Sequence, residues 1–130
     1  MNKKKILIVD DDSDFVELIK LRLEHAGYKV YTASSGEEGV EKFSKEKPDL
    51  ILLDIFMPGI DGFEMLYILK NNYPNTEHLP VIMITARNEL ESSFKAKGFG
   101  ATDYLVKPID TQELLDKISE HISRLAGNKR

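Results

Sequence analysis

The 130-residue chain contains no cysteine. This absence excludes disulfide bonds and thiolate metal sites. It leaves the cytosol as the default compartment for a domain that needs no covalent cross-links. No apolar run approaches the roughly 20 residues that a membrane span needs. The basic start, residues 1–5, is followed by only a short apolar stretch and then by acids, so no secretory signal is predicted.

A positive net charge is also lacking. The formal net charge is −4, so the domain has no electrostatic footprint for a phosphate backbone, and direct nucleic-acid binding is not expected. Hydrophobic residues make up 42% of the chain, which is enough for the core of one domain. We therefore expect a single domain over residues 1–130, with a core at about 4–125. Residues 126–130 are expected to form a frayed tail or a cut linker.

Four short apolar runs each end in polar residues of distinct chemistry. The residues that follow these runs are Asp10-Asp11-Asp12, Asp54, Thr85 and Lys107. The runs at 6–9, 50–53 and 81–84 are continuous and not alternating, which is typical of strands buried on both faces of a parallel sheet. Parallel neighbours would bring all four groups to the carboxyl edge, where open α/β sheets place their sites.

Helical periodicity and helix-start signals predict five strand–helix repeats without an internal linker. Strands are expected at about 5–9, 29–32, 81–84 and 104–106, and a further strand should start at about residue 49. Asp12 is a candidate cap for the first helix, which should stop at Gly27. The second helix should open with a Ser35–Glu38 capping box, and the third should span about 62–71. A fourth helix is expected at about 89–97, and a fifth should open at Asp110 and Glu113. Right-handed crossovers between these units give a doubly wound α/β fold.

These strand endings resemble a receiver domain of a two-component response regulator over about residues 4–125. The motifs that carry the resemblance are Asp10-Asp11, Asp54 with Met57-Pro58-Gly59 and Asp61-Gly62, Thr85-Ala86, and Lys107-Pro108. They occur in the family's order and at its usual separations. The resemblance implies a flavodoxin-like (βα)5 fold, with a five-stranded parallel sheet in the order 2-1-3-4-5. It also makes the Lys107-Pro108 bond a candidate cis peptide.

The resemblance also implies roles for the strand-end residues. Asp10, Asp11 and Asp54 would hold Mg²⁺ together with the backbone carbonyl of Phe56, since hard oxygen ligands suit this ion. Asp54 would accept a phosphoryl group. The Lys107 ammonium would neutralise one of its oxygens, and the Thr85 hydroxyl would serve another. Thr85 and Tyr104 would transmit the switch. Taken singly, these residues also fit ordinary roles as helix-start acids, a surface lysine, a strand threonine and a half-buried strand aromatic.

Two further residues are expected to modulate the lifetime of the phosphorylated state. Phe56 would overhang the site and exclude water, and Arg87 would reach the phosphoryl group. The alternative is that Phe56 packs on the third helix and that Arg87 is solvated. His25, His78 and His121 are all interpreted as surface residues, which argues against an internal phosphohistidine relay.

The resulting hypothesis is a cytoplasmic signalling switch, and not an enzyme beyond its own phosphorylation and dephosphorylation. The implied partners are a sensor histidine kinase or phosphotransfer protein, and a downstream protein or missing effector domain. The output face would combine the fourth helix, fifth strand and fifth helix. Weak homodimerisation through this face on phosphorylation is a further expectation. No membrane partner is implied.

Two alternatives from other classes are weaker. A phosphatase of the haloacid dehalogenase type needs a second Asp two residues after the nucleophile, and Phe56 stands there. A flavin-binding module needs a hydroxyl- and glycine-rich loop after the first strand, where this chain has acids that would repel a phosphate. A G-x-x-x-x-G-K-[ST] nucleotide loop is also lacking.

Overall fold

The computed structural model describes residues 2–86, 98 and 100–128. The elements in these ranges are β1 (Lys5–Val9), α1 (Ser13–His25), β2 (Lys29–Ala33), α2 (Gly36–Glu46), β3 (Leu50–Asp54), α3 (Gly62–Asn72), β4 (Val81–Thr85), β5 (Asp103–Val106) and α4 (Thr111–Asn128). The five strands and the first, second, third and fifth helices were predicted from the sequence at these places. The helix expected at about 89–97 and the residue Arg87 lie outside the described residues.

The five strands form one parallel sheet in the order β2-β1-β3-β4-β5, which confirms the predicted fold class and strand order. The register sets Val9 beside Leu53 and Asp54 beside Ile84. Thr85 lies beside Val106, so the last residues of the central strands are level with one another. The carboxyl ends of the strands therefore meet at one edge of the sheet.

The core lies on both faces of the sheet. Along β1, Leu7 and Val9 pack into one cluster, whereas Ile6 and Ile8 pack into the other. The first cluster is completed by apolar side chains of α2 and α3, and the second by those of α1 and α4. Because successive strand residues point to opposite faces, burial of both faces requires continuous apolar runs. This requirement explains the pattern read from the sequence.

Short polar side chains begin the helices. Asp12 caps α1 by accepting a hydrogen bond from the Phe15 N–H at 3.2 Å, the role expected for it. Asp61 and Glu64 form a full capping box at α3. At α2, Ser35 accepts from the Glu38 N–H, but the Glu38 carboxylate returns to Ser34 and not to Ser35. The predicted capping box is therefore only half formed: the Glu38 carboxylate accepts from Ser34 and not from the cap residue Ser35.

The helix ends follow backbone preferences. Gly27 adopts a φ of 103° directly after α1, as expected for a glycine that stops a helix. The C-terminal helix α4 continues to Asn128, beyond the predicted end of the core near Leu125, since one glycine in a final turn is tolerated. None of the helices in the described part of the chain combines the length and apolar character needed to cross a membrane.

Candidate functional site

Three carboxylates meet at the carboxyl edge of the sheet. Asp10 follows β1 and is tied to the sheet by its N–H, which donates to the Ala33 carbonyl at 3.1 Å. Asp54 is the last residue of β3. Ligand oxygens of Asp10, Asp11 and Asp54 all lie within 4.8 Å of one another. Asp10 is 1% exposed and Asp54 is 8% exposed, whereas Asp11 is exposed to solvent. The cluster therefore consists of two buried acids and one exposed acid.

Lys107 supplies the cation of this edge. Its ammonium lies 3.0 Å from Asp10 Oδ2 and 4.5 Å from the centroid of the Phe15 ring, a distance at which a cation is attracted to a ring face. The Lys107 N–H donates to the Thr85 carbonyl at 2.8 Å, which fixes the start of the loop after β5. The Lys107-Pro108 peptide is cis, as expected. The lysine thus pairs with Asp10 and stands beside the carboxylate cluster.

Asp54 holds its proton unusually tightly. Burial raises the pKa of Asp54 from 3.8 to about 7, and the Asp10 carboxylate adds to the increase. Lys107 and the Phe56 backbone N–H oppose the shift without cancelling it. A carboxylate with this pKa needs a further positive charge beside it to be fully ionised at neutral pH. The electrostatics therefore favour a cation at this place.

The residues expected to transmit or modulate a signal surround the cluster. Thr85 is 1% exposed, and within the described ranges its hydroxyl donates to the adjacent Ala86 carbonyl alone, at 3.2 Å. Tyr104 is half-buried and packs against the core cluster on the α2 and α3 face. The Phe56 side chain is 53% exposed, so it is not packed away beneath α3. The functional roles of all three remain predictions.

Comparison with known proteins identifies this arrangement. The family model described as "Response regulator receiver domain" matches residues 6–119. The chain belongs to the response regulator receiver domain family. It is 39% identical over 121 residues to the alkaline phosphatase synthesis transcriptional regulatory protein PhoP of Bacillus subtilis, covering 93% of this chain and 49% of that protein. It is 37% identical over 124 residues to a probable transcriptional regulator of Cyanophora paradoxa, covering 95% and 50%.

Solved receiver structures show the same fold. A putative response regulator from Chloroflexus aurantiacus matches with a TM-score of 0.89 at 36% identity, covering 94% of this chain and 99% of that one. A CheY-like receiver domain protein from Methanospirillum hungatei matches with a TM-score of 0.89 at 35% identity, covering 98% and 99%. The receiver spans about half the length of the curated relatives it matches.

The acidic cluster of this receiver fits Mg²⁺. Asp10 Oδ1 already accepts the Asp12 N–H at 2.9 Å, whereas Oδ2 is buried with no hydrogen bond among the described residues and only the Lys107 ion pair. A buried carboxylate oxygen without hydrogen bonds is costly unless a cation satisfies it. Three carboxylates within ligand reach of one another, one of them open to water, are the hard oxygen donors that Mg²⁺ prefers.

Gly62 has a structural role at the site that its place in the Asp61-Gly62 motif did not reveal. A Cβ at Gly62 would lie 2.4 Å from the Asp54 carbonyl oxygen and 2.9 Å from the Ile55 Cα. Only glycine therefore lets the first turn of α3 approach the strand end that carries Asp54, and the Gly62 N–H donates to the Ile55 carbonyl at 2.8 Å. The only sequence signal for this role was a glycine directly after an acidic helix cap.

The interpretation of His121 as a surface residue is wrong. His121 is 5% exposed, and its Nε2 lies 3.0 Å from Asp103 Oδ2. The physical reason is its place on α4, in the turn that faces the start of β5. His25 and His78 are exposed, as expected. His121 therefore contacts the start of β5, at the strand end opposite the one that precedes Lys107.

Proposed function

We propose that this receiver is a phosphorylation-controlled switch in which Asp54 accepts a phosphoryl group in the presence of Mg²⁺. The donor would be a phosphohistidine of a sensor kinase or of a phosphotransfer protein. One observation carries the proposal: three carboxylates converge within ligand reach at the sheet edge, beside one lysine ammonium. That set combines a nucleophile, a place for a divalent cation and a positive charge for the transferred group.

Asp54 is the carboxylate best placed to react. It ends β3 at the centre of the sheet and keeps 8% exposure. Its oxygen would attack the phosphorus, the bond from phosphorus to the donor nitrogen would break, and the donor imidazole would leave with its electron pair. Bound Mg²⁺ would supply positive charge that favours the ionised carboxylate and neutralises a phosphoryl oxygen. Asp10, Asp11, Asp54 and the Phe56 carbonyl are the groups proposed to hold it.

Lys107 and Thr85 would serve the remaining phosphoryl oxygens. The Lys107 ammonium is held by Asp10 at 3.0 Å, and Mg²⁺ on Asp10 would weaken that ion pair and leave the ammonium available for the new dianion. The Thr85 hydroxyl donates to the carbonyl of its own neighbour and to no other described residue, so its rotation toward the phosphoryl group would break one weak contact. Thr85 can therefore change partner at low cost, and Lys107 could do so once a bound cation took its place at Asp10.

The signal would leave through the face that contains β5 and α4. Thr85 lies beside Val106, and two residues earlier in the same register Met83 lies beside Tyr104. Movement of the Thr85 hydroxyl would free space toward the half-buried Tyr104 ring and bias a two-state element. The contacts that would change lie on the segment from β4 to α4, which includes the helix predicted at about 89–97.

The output would pass to a separate protein or to an effector domain joined to this one. The curated relatives are named transcriptional regulators and are about twice as long as the matched region. Their names support the second route without deciding the output of this chain. We propose a cytoplasmic location, no catalysis beyond the receiver's own phosphorylation and dephosphorylation, and weak self-association through the same face once Asp54 is modified.

The decisive experiment is intact-mass measurement after incubation with acetyl phosphate, with and without Mg²⁺. We expect one added phosphoryl group in the wild type with Mg²⁺, and none in Asp54→Asn. Asp14→Asn is the matched control, because Asp14 is an exposed acid in the first turn of α1, outside the carboxylate cluster. Labelling that persists in Asp54→Asn, or labelling that needs no divalent cation, contradicts the proposal.

A further inference from the structure

A closed cycle of contacts lies at the carboxyl edge of the sheet and joins Asp10, Asp12, Phe15 and Lys107. Asp10 Oδ1 accepts the Asp12 N–H at 2.9 Å, and the Asp12 carboxylate accepts the Phe15 N–H at 3.2 Å. The Lys107 ammonium lies over the Phe15 ring, 4.5 Å from its centroid, and pairs with Asp10 Oδ2 at 3.0 Å. Phe15 is the apolar member of this cycle and has no part in the chemistry described above.

The start of α1 fixes the position of the Phe15 ring. The Asp12 cap holds the Phe15 backbone in the first turn of the helix. The Phe15 side chain is half-buried and packs against the core cluster on the α1 and α4 face. An aromatic side chain in a helix has few allowed rotamers, so the ring presents a well-defined face to the lysine.

Two supports hold the Lys107 ammonium in the described part of the chain, the Asp10 carboxylate and the Phe15 ring. The Lys107 side chain is 28% exposed, and a lysine carries its charge on a long, flexible stem. Without a support, the ammonium would therefore move freely into solvent. The number of its supports matters most at the moment when one of them is lost.

The ion pair with Asp10 is the support that the proposed chemistry removes. Asp10 is one of the groups proposed to hold a divalent cation, and its Oδ2 cannot serve that cation and keep a full ion pair with Lys107. The ring has no charge to give up, and its negative face attracts an ammonium whether or not Asp10 is engaged. The contact with Phe15 is therefore the support that remains when the phosphoryl group arrives.

We propose that Phe15 is a positioning residue for Lys107 in the phosphorylation of Asp54. The ring would keep the ammonium at the sheet edge by cation–π attraction, so that the ammonium meets a phosphoryl oxygen and does not swing into solvent. Phe15 would act through Lys107 and not on the reacting atoms. This role rests on the proposed function, because it requires a phosphoryl group at Asp54.

The alternative is that the ring only packs against the apolar stem of Lys107. The two explanations require different properties of the ring. Packing depends on the shape and apolar area of the side chain, whereas cation attraction depends on the negative charge of the ring face. Fluorine atoms on the ring withdraw that charge and change its shape little. A series of fluorinated rings at position 15 therefore separates the two explanations.

The first measurement follows the Lys107 side chain in the full chain labelled with ¹³C-lysine, in EDTA. A ring face shields the nuclei above it, so the ε-CH₂ protons of Lys107 should resonate upfield of those of solvated lysines. Phe15→Leu should remove this shift. Lys29, whose ammonium lies 5.7 Å from the centroid of the Tyr31 ring, is an internal control that Phe15→Leu should leave unchanged. A wild-type Lys107 signal at the position of solvated lysines would overturn the proposal.

The second measurement is the rate of Asp54 phosphorylation by acetyl phosphate at saturating Mg²⁺, followed by intact mass. The phosphoryl group passes to the carboxylate oxygen, and acetate leaves. Site-specific fluorination of the Phe15 ring should slow the rate stepwise, to about fivefold below wild type, which is the scale of one partly exposed cation–π contact. Phe15→Leu should show a similar loss. Phe15→Tyr, which keeps the ring, should stay within about twofold of wild type.

Phe43 provides the matched control. Its ring is also half-buried, but it lies near the end of α2 and packs edge-on against Tyr73. The same fluorines at Phe43 should leave the rate unchanged. Equal rates along the Phe15 series, or an equal loss on fluorination of Phe43, would overturn the proposal and leave packing as the explanation.

Failure of the proposed function would look different. A wild-type protein that takes up no phosphoryl group at saturating Mg²⁺ would refute that function, and the positioning role with it. The lysine spectrum would still report the ring contact, because it needs neither Mg²⁺ nor phosphate. Normal phosphorylation that is insensitive to the Phe15 ring would refute the positioning role alone.

Discussion

Replacing Asp54 by asparagine should stabilise the fold in a pH-dependent way. Asp54 is an acid whose pKa rises from 3.8 to about 7 on folding, mainly through burial and next through the Asp10 carboxylate. Because the folded pKa lies above the unfolded one, the folded state holds the extra proton between about pH 4 and pH 7. Wild-type stability should therefore fall as the pH rises through this window, and the amide of Asp54→Asn escapes that loss.

The size of the effect follows from the shift. One pKa unit corresponds to about 1.4 kcal/mol, so a shift of about three units sets an upper limit near 4 kcal/mol. Solvent at the sheet edge, where Asp11 is open to water, should reduce this to about 2 kcal/mol. For a chain of this length, that difference raises the midpoint of thermal unfolding by about 6–10 °C.

The assay is thermal and urea unfolding of the wild type and Asp54→Asn in EDTA at about pH 4.5 and about pH 8. The stabilisation should be large at the higher pH and small at the lower one. Glu41→Gln is the matched control, because it makes the same change from acid to amide at an exposed position of α2. An equal difference between wild type and Asp54→Asn at both pH values would refute the reasoning from burial and repulsion.

Mg²⁺ provides a second arm of the same experiment. At 100 times its dissociation constant, an ion that binds only the folded state adds about 2.7 kcal/mol. We expect this gain in the wild type and much less in Asp54→Asn, so Mg²⁺ should close the gap between the two proteins at about pH 8. A gain of equal size in both proteins would place the metal away from Asp54.

Three further changes test other parts of the site. Asp11→Ala should lower Mg²⁺ affinity about tenfold, as measured by calorimetry; unchanged affinity would leave Asp11 as a helix-start charge. Phe56→Asn should speed loss of the phosphoryl group about 10- to 100-fold by admitting and orienting water; equal decay by mass spectrometry would contradict the role of the ring. Gly62→Ala should cost about 3 kcal/mol in urea unfolding, because its Cβ would meet the backbone of Asp54. Gly98→Ala, where no described residue comes within 4 Å of the added Cβ, should cost much less; similar losses in the two variants would contradict the clash.

Much of the fold was predictable because its signals are local. Continuous apolar runs marked strands buried on two faces, and polar residues directly after these runs marked the edge at which they meet. Asp12 and Gly27 were recognised as helix boundaries from their own backbone preferences. The strand order came from the resemblance, because periodicity alone does not say which strand lies beside which.

Other features depended on residues far apart in sequence. The ion pair that ties Lys107 to Asp10 joins β5 to β1 across the sheet edge, and no local pattern distinguishes it from a direct contact with Asp54. The closeness of α3 to the Asp54 backbone at Gly62 is a matter of packing distance. Neither could be obtained from spacing, because each is set by how the elements lie against one another.

His121 shows most clearly which features the sequence determines and which depend on the tertiary structure. By itself, the sequence determined that α4 is an amphipathic helix, that the strands form a buried sheet, and that acids, a hydroxyl and an amine end those strands. Only the tertiary structure decided that His121 is buried against Asp103. The physical reason is that burial and pKa depend on the groups that packing brings into contact, whereas helix and strand formation depend mainly on neighbours along the chain.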